Sequence, residues 1–545
     1  MPDTVASAGP PHPYAALDSA HVGAINGAFG TIAEDDTRPR ATWGAKLKTL
    51  AAIVGPGLIV MVGDNDAGAF GTYTQAGQNY GTALLWTLLM LVPVLYVNQE
   101  MVLRLGAVTG VGHARLILER FGKFWGAFSV IDLFILNGLT IVTEFIGVSL
   151  GLDALGLPKL WGVLAAAAVT MAAATTGNLR RFERFSIFLC FGSLLLVPVF
   201  LAVHPPLGEV AHDFVTPQLP AADKLSDVLL LIIAIVGTTV APWQLFFQQS
   251  NVIDKRLTPR WMAYERADTW IGAFVVILGA AALMIVTAFA FAGTKLAGQF
   301  GDAGTAAAGL AHALSPVAGA MFALVLLNAS LIGAAAVTLS TSYAFGDVFG
   351  IKHSLHRSWK DARGFYAIYA ALVALAAAIV LIPNAPLGLI TTAVQALAGV
   401  LLPSASVFLL LLCNDRAVLG PWVNKPWLNA MTSAIVGVLV MLSLILAATT
   451  LFPSVDVRLL TVVLAAILVV GLVVTGLLYL RRPASTPIAA VAEADRLTWR
   501  MPPLGALPKP AWSTVQTVGM VTLRGYLLVA AILLAVKVVG LALGH

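Results

Sequence analysis

Charge is what this chain has least of. Only 11% of its 545 residues are Asp, Glu, Lys or Arg, while 59% are hydrophobic. A soluble domain carries roughly 25% charged and about 45–50% apolar residues, so this composition belongs to a polytopic membrane protein. Cysteine is nearly absent: Cys190 and Cys413 both fall in apolar segments, which leaves no disulfide framework and no zinc pattern. The apolar runs carry no alternating period-two pattern, so an outer-membrane barrel is not expected. The start, MPDTVASAGPPHPYAALDSAHVG, has no basic stretch followed by an apolar core, so no cleavable signal peptide is expected. A P-loop, a redox cysteine pair and a catalytic triad are all missing, as is any histidine in mid-segment. An enzyme is therefore not expected. The net charge of +5 carries no nucleic-acid signal either, because the basic residues sit in short loops, where they set membrane orientation.

What is there is a succession of apolar runs of about 20 residues, each long enough to cross ~30 Å of hydrocarbon as a helix. Twelve lie between residues 51 and 480, and a thirteenth covers 519–543. Arg524 and Lys537 in that last one leave open a span with snorkelling side chains or an interfacial helix. Alternate loops are rich in cations, among them Arg115, Arg120 and Lys123, then Arg180, Arg181 and Arg184, then Lys255, Arg256, Arg260 and Arg266. The intervening loops hold only isolated ones such as Lys159, Lys224, Lys295 and Arg458. This asymmetry predicts an inner (plasma) membrane protein with a cytoplasmic N-terminus. The chain then divides into a mostly disordered cytoplasmic tail (1–48), a first five-helix block (49–205), a second (206–413), two further spans (414–480), a polar, Pro-rich cytoplasmic linker (481–517) and the final segment (518–545). Trp86, Trp125, Trp161 and Trp422 near segment ends read as interface anchors.

Two segments are unlike the rest. The first contains MVGDNDAGAFGTY, residues 61–73, where Asp64, Asn65 and Asp66 crowd into a greasy span. The sixth contains GTTVAPWQLFFQQS, residues 237–250, with Pro242 in mid-span. A carboxylate at the bilayer centre is costly and needs compensation. Asp64 and Asp66 point roughly 200° apart on an intact helix, but Gly63, Gly68 and Gly71 weaken the helix and permit a non-helical joint. Pro242 removes a donor and clashes with the carbonyl four residues back, on Thr238. Five segments separate the two breaks, so the second block enters with opposite polarity, as in inverted-repeat transporters whose broken helices build a cation or substrate site at the midplane. The plainer alternative is Asp and Asn at a water interface, glycines for close packing and an ordinary proline kink.

Several motifs resemble one family. GPGLIVMVGDNDAGAFGTYTQAGQNYG in the first segment, LRLGAVTGVGHARLILERFG at 103–122, TEFIGVSLGL at 143–152, TSYAFGDVFG at 341–350 and QALAGVLLPSASVFLLLLCND at 395–415 are similar to stretches of the Nramp divalent-metal transporters. The resemblance covers about 55–415. It implies an all-α membrane protein of the LeuT-type fold, with two inverted five-helix repeats, extra C-terminal helices and 12–13 transmembrane helices, and a divalent cation as the transported substrate. No resident cofactor is implied. The partners would be the ion and the lipid bilayer, with no nucleic acid, and a monomer is expected.

The departures from the family pattern cluster at its metal site. Asp-Pro-Gly-Asn corresponds to Asp66, Ala67, Gly68 and Ala69, so the acid is kept and the asparagine is lost. Met-Pro-His corresponds to Ala241, Pro242 and Trp243, which removes the thioether and the imidazole. An acid of the third segment is Ile141, while Glu144 and Gln395 are kept. The resemblance implies that the ion meets Asp66, with the carbonyls of Gly63 and Thr238 and, on closure, Gln395; Ala69 and Ala241 widen the site. Asp64 and Asn65 are additional polar groups, expected to hold waters around the ion rather than the ion itself. Oxygen donors without a thioether suit hard ions, and Mg²⁺ keeps several of its waters. The pattern is most like the Nramp-related magnesium transporters, which carry Mg²⁺ and Mn²⁺. With Trp243 and Ile141 unable to titrate, Glu144 is left as a lone acid, and transport with weak or no proton coupling is expected, driven by the ion gradient and a potential contributing ~2.3 kcal/mol per charge per 100 mV. Competing readings are a proton-coupled Mn²⁺/Fe²⁺ importer, an organic-cation or amino-acid transporter on the same scaffold, and a non-transporting sensor or receptor.

Overall fold

The computed structural model describes residues 14–220, 225–382, 387–452, 455–480 and 492–508, with four isolated positions beyond. A short hairpin, β1 (Ile25–Gly27) and β2 (Gly30–Ile32), precedes the helices. In chain order these are α1 (Trp43–Ile53), α2 (Pro56–Gly63), α3 (Ala67–Tyr80), α4 (Leu85–Thr109), α5 (His113–Phe121), α6 (Lys123–Ala154) and α7 (Lys159–Ala174). There follow α8 (Leu179–Gly192), α9 (Leu196–Ala202), α10 (Leu207–Val215), α11 (Leu225–Thr239), α12 (Pro242–Asp254), α13 (Met262–Phe291) and α14 (Ala303–Ala313). The last set is α15 (Pro316–Phe349), α16 (Arg363–Val380), α17 (Leu387–Cys413), α18 (Arg416–Leu419), α19 (Pro426–Leu451), α20 (Val457–Leu480) and α21 (Glu493–Thr498).

Among the described residues, ten helical stretches are long and apolar enough to cross a membrane. Helices α2 and α3 together cover the first of the twelve expected segments and the shorter apolar α7 another, and α1 meets α2 at a bend of 53°. The segment expected at 519–543 lies outside the described residues apart from those isolated positions. The architecture is all-α and of the LeuT type, with the first helix of each five-helix block interrupted.

Buried apolar side chains form one core in which α6 runs against α15, while α13 packs along both halves of the broken first segment and α11 against α17 and α3. At the α11–α17 crossing, Gly237 and Gly399 face each other so closely that a Cβ on either would strike the other backbone. Small residues let membrane helices approach in this way. At the periphery, Val462, Ile467 and Val470 of α20 stay exposed, as expected where lipid rather than protein covers an apolar face.

Two expectations about the ends are corrected. Residues 14–42 are folded, not a disordered tail: the Asp18 carboxylate pairs with Arg357 at 2.5 Å, and Ala28 N–H donates to Glu183 at 2.8 Å. Arg180 donates to the carbonyls of Gly27 and Gly30, and Arg256 to those of Ala20 and Ala24. Every one of these partners lies more than 100 positions away, so nothing in the local composition announces them. The second correction concerns the linker. Residues 492–508 dock against the bundle, with Met501 buried and its N–H bonded to Val108. They also cover Trp422, which is buried beneath Arg496 and is no interface anchor.

Candidate functional site

The break in the first segment follows from its residues. α2 runs through Gly63, and the backbone then makes two tighter bonds, Asp64 N to Met61 O and Asn65 N to Val62 O, both 3.2 Å. Asp66 leaves the helix in an extended conformation and caps α3, its carboxylate accepting from Ala69 N at 2.8 Å. Capping by Asp satisfies a donor that a helix N-terminus leaves open. Ala67 N–H, which an unbroken helix would direct at the Gly63 carbonyl, donates instead to Glu144 Oε2 of α6 at 3.1 Å. The Gly63 carbonyl thereby loses the donor that an unbroken helix would give it.

The break in the sixth segment is made by backbone. α11 ends at Thr239, Val240 and Ala241 form the joint, and Pro242 opens α12. Pro242 has no N–H to return to Thr238, whose carbonyl loses its helical donor. The Thr238 hydroxyl is buried without a partner as well. Tyr73 of α3 ties the two breaks together: its hydroxyl lies 2.7 Å from that of Thr239.

Several expected residues come together between these joints. Asp64 is fully buried, with the Gln244 amide beside its carboxylate but neither oxygen in good hydrogen-bond geometry. Asp66 is also buried, and Gly333 of α15 sits against both its Cβ and the Glu144 carboxylate. Gln395 of α17 approaches Gly68 so closely that a Cβ there would meet its amide nitrogen, which is itself buried and unpartnered. Trp243 is buried with its ring edge beside Gly63, and its indole N–H is also unpartnered. Ala69 and Ala241 are buried small residues on the two sides. Asn65 turns elsewhere: its amide donates to Val276 O of α13 at 3.1 Å, so it fastens the joint to a neighbouring helix. Ile141 lies in the apolar core.

Buried polar atoms in folded proteins are almost always satisfied, and a buried carboxylate without a partner is costly. Here the unpaired oxygens are those of Asp64, next in sequence but one to Asp66, and the Thr238 hydroxyl at the other joint, whereas the unpaired Gln395 and Trp243 atoms are N–H donors. Such oxygens can surround a cation. Among the described residues no group of three or more His, Cys, Asp or Glu side chains has metal-site geometry, so an ion here relies on carboxylate together with carbonyl and amide oxygen.

Other buried polar residues lie outside the set that the family motifs imply. Gln99 of α4 donates to Gln244 of α12 at 2.9 Å, placing an amide pair just beyond the second break. Asp268 of α13 accepts from Gly55, Gly57 and Leu58 N–H at 3.0, 2.7 and 3.2 Å and so caps α2 from another helix. The signal for it was in the sequence: α2 starts with Gly-Pro-Gly, which has no capping side chain of its own. Beside it, Lys255 and Glu183 form a fully buried pair at 2.6 Å, although Lys255 reads from sequence as an ordinary loop cation.

Known proteins resemble this arrangement over most of its length. The family described as natural resistance-associated macrophage protein-like (Nramp) matches residues 57–449. The divalent metal cation transporter MntH 1 of Pseudomonas aeruginosa is 28% identical over 414 residues, covering 72% of this chain and 90% of that protein. A divalent metal cation transporter MntH of Ralstonia nicotianae is 29% identical, covering 71% and 88%. In structure, the Eremococcus coleocola manganese transporter, in complex with an aromatic bis-isothiourea compound, matches with a TM-score of 0.59 at 20% identity, over 84% of this chain and 98% of that one. The family match spans well over half the sequence and takes in both broken helices: this chain belongs to the Nramp family.

Proposed function

We propose that this protein carries divalent metal cations across the membrane by alternating access, with the ion held between the two broken helices. The observation that carries the reading is the fully buried Asp64 carboxylate next to Asp66, at a joint that also frees backbone oxygen. Asp66 would hold the ion directly, with the carbonyls of Gly63 and Thr238 and the side-chain oxygen of Gln395. Asp64 joins as a direct or water-bridged oxygen donor, a larger role than its sequence context implies. Membership in the family and relatives named as divalent metal cation transporters support the substrate class.

Within that class we place Mg²⁺ and Mn²⁺ first, as in the Nramp-related magnesium transporters. Ala69 and Ala241 contribute no ligand atom, and Trp243 stands where the family has an imidazole. An all-oxygen set suits Mg²⁺ and Mn²⁺ over softer ions. Coupling to protons would be weak or absent, because Glu144 spends one oxygen on Ala67 N–H, its titratable neighbour is Asp66, which the ion would occupy, and none stands at 141 or 243. The second reading, a proton-coupled Mn²⁺ importer of the ordinary type, is favoured by the names of the relatives, which include a manganese transporter of the same fold. The loop charges support an inner-membrane location with the N-terminus in the cytoplasm. Uptake of Mg²⁺ and Mn²⁺ measured side by side in proteoliposomes at two pH values tests both readings. Uptake of both ions without internal acidification supports the first. Uptake confined to Mn²⁺ and accompanied by acidification supports the second.

A further inference from the structure

Away from the broken helices, a cavity of about 250 Å³ opens where three distant parts of the chain meet. Its walls come from the N-terminal segment, from the turn joining α12 to α13, and from the docked residues 497–500. Three guanidinium groups line it, those of Arg256, Arg260 and Arg500, against two carboxylates, Glu34 and Asp36. Asp36 is already taken, since Arg38 and Arg40 both bond to it. The balance inside the cavity is therefore positive.

Arg500 is the informative member. Its guanidinium lies over the Tyr14 ring at 5.0 Å, and its Nε and Nη1 are buried with no hydrogen-bond partner. Burial pushes its pKa down, and no carboxylate offsets that. Removing a guanidinium from water without an anion beside it is unfavourable. Its main chain is held in place regardless, because the next residue, Met501, bonds to Val108. His21 in the same wall is nine-tenths buried, with Nε2 bonded to the His353 carbonyl and Nδ1 unpartnered. When Nε2 carries the hydrogen, Nδ1 is an acceptor suited to a P–OH or hydroxyl donor. Arginine forks match phosphate oxygens in geometry as well as in charge.

We propose that this cavity is a binding site for a phosphate group, carried on a small soluble ester such as a nucleotide or on a lipid headgroup, with Arg500, Arg256 and Arg260 as its cationic walls. The site goes beyond cation transport and does not depend on it. A ligand seated there would bridge the N-terminal segment and residues 497–500 to the turn that ends α12, the helix whose other end is Pro242 at the second break.

The test is equilibrium binding of radiolabelled inorganic phosphate and of ATP to the full-length protein in phosphatidylcholine nanodiscs, with and without phosphatidic acid. Saturable binding of either probe is expected, weakened at least tenfold in Arg500→Gln and tightened severalfold in Glu34→Gln. The second variant guards against misfolding, since a damaged protein does not bind more tightly. If phosphatidic acid in the disc abolishes binding of the soluble probes, the site stands and the lipid is its ligand. No saturable binding of either probe in phosphatidylcholine alone, or binding that both variants leave unchanged, overturns the proposal.

Discussion

At the first break, beside two short backbone bonds of Asp64 and Asn65, the fastenings to the rest of the fold are side chains. Asp66 caps Ala69, Glu144 takes the N–H of Ala67, and Asn65 holds the carbonyl of Val276. At the second break Pro242 withholds a donor, Val240 bonds back to Val236, and the side-chain ties are uncharged: Tyr73 to the Thr239 hydroxyl and Ser340 to the Trp243 carbonyl. Charge therefore sits on one side of the site and geometry on the other. The side with charge needs many partners, because each buried carboxylate must be positioned or compensated. The side without charge can be lined by Ala241 and Trp243 and still present carbonyl oxygen.

The difference can be broken most severely at Asp66. Asp66→Ala removes a buried charge and the α3 cap, a loss of about 3–5 kcal/mol in ion affinity, so divalent uptake in proteoliposomes should fall at least ~100-fold. Pro242→Ala should come next. It returns an N–H that can recapture the Thr238 carbonyl, and a hydrogen bond worth about 1 kcal/mol lowers uptake ~5–10-fold with the fold intact. Ala241→Met puts a thioether on the uncharged side and should shift competition in favour of Cd²⁺ and Mn²⁺ over Mg²⁺ by several-fold. Glu144→Gln separates fastening from titration: the amide oxygen still accepts from Ala67, so uptake should stay within about threefold of wild type, whereas a proton-relay role would make the variant lose its pH dependence together with its flux.

The smallest effect concerns the folded N-terminal segment. Burial alone would raise the Asp18 carboxyl, but the Arg357 guanidinium and the Ala20 N–H outweigh it and hold Asp18 well below the usual carboxylate range. A depressed carboxyl contributes stability that is present above its unfolded pKa, near 4, and is lost as pH falls through the folded value. Protease nicking of residues 14–42 should therefore begin only on acidification below about pH 4, and Asp18→Asn should show the same nicking at neutral pH.

Much of this was legible without coordinates. The twelve apolar segments, the two breaks and the released carbonyls follow from hydropathy, glycine and Pro242, because lipid forces every backbone group to be satisfied within a helix. Asp66, Gln395 and Glu144 could be placed together through family motifs. The fates of Asp64 and Asn65 could not be separated, since a non-helical joint has no fixed periodicity to say which way each side chain turns. Asp268, Lys255 and Glu183 were hidden for another reason: their partners are 72 to 213 positions away, and each alone reads as a loop charge. The ordered ends were hidden by composition, which reports hydrophobic content and is blind to long-range ion pairs.

The central claim is the position of the ion. Crystals of the full-length protein soaked in Mn²⁺ and measured at the manganese edge locate it through anomalous scattering. The account places a peak about 2.2 Å from an Asp66 carboxylate oxygen, typical of oxygen donors to such ions, between the Gly63 and Thr238 carbonyls. A peak elsewhere in the bundle, or none in a soak that supports transport, would contradict it.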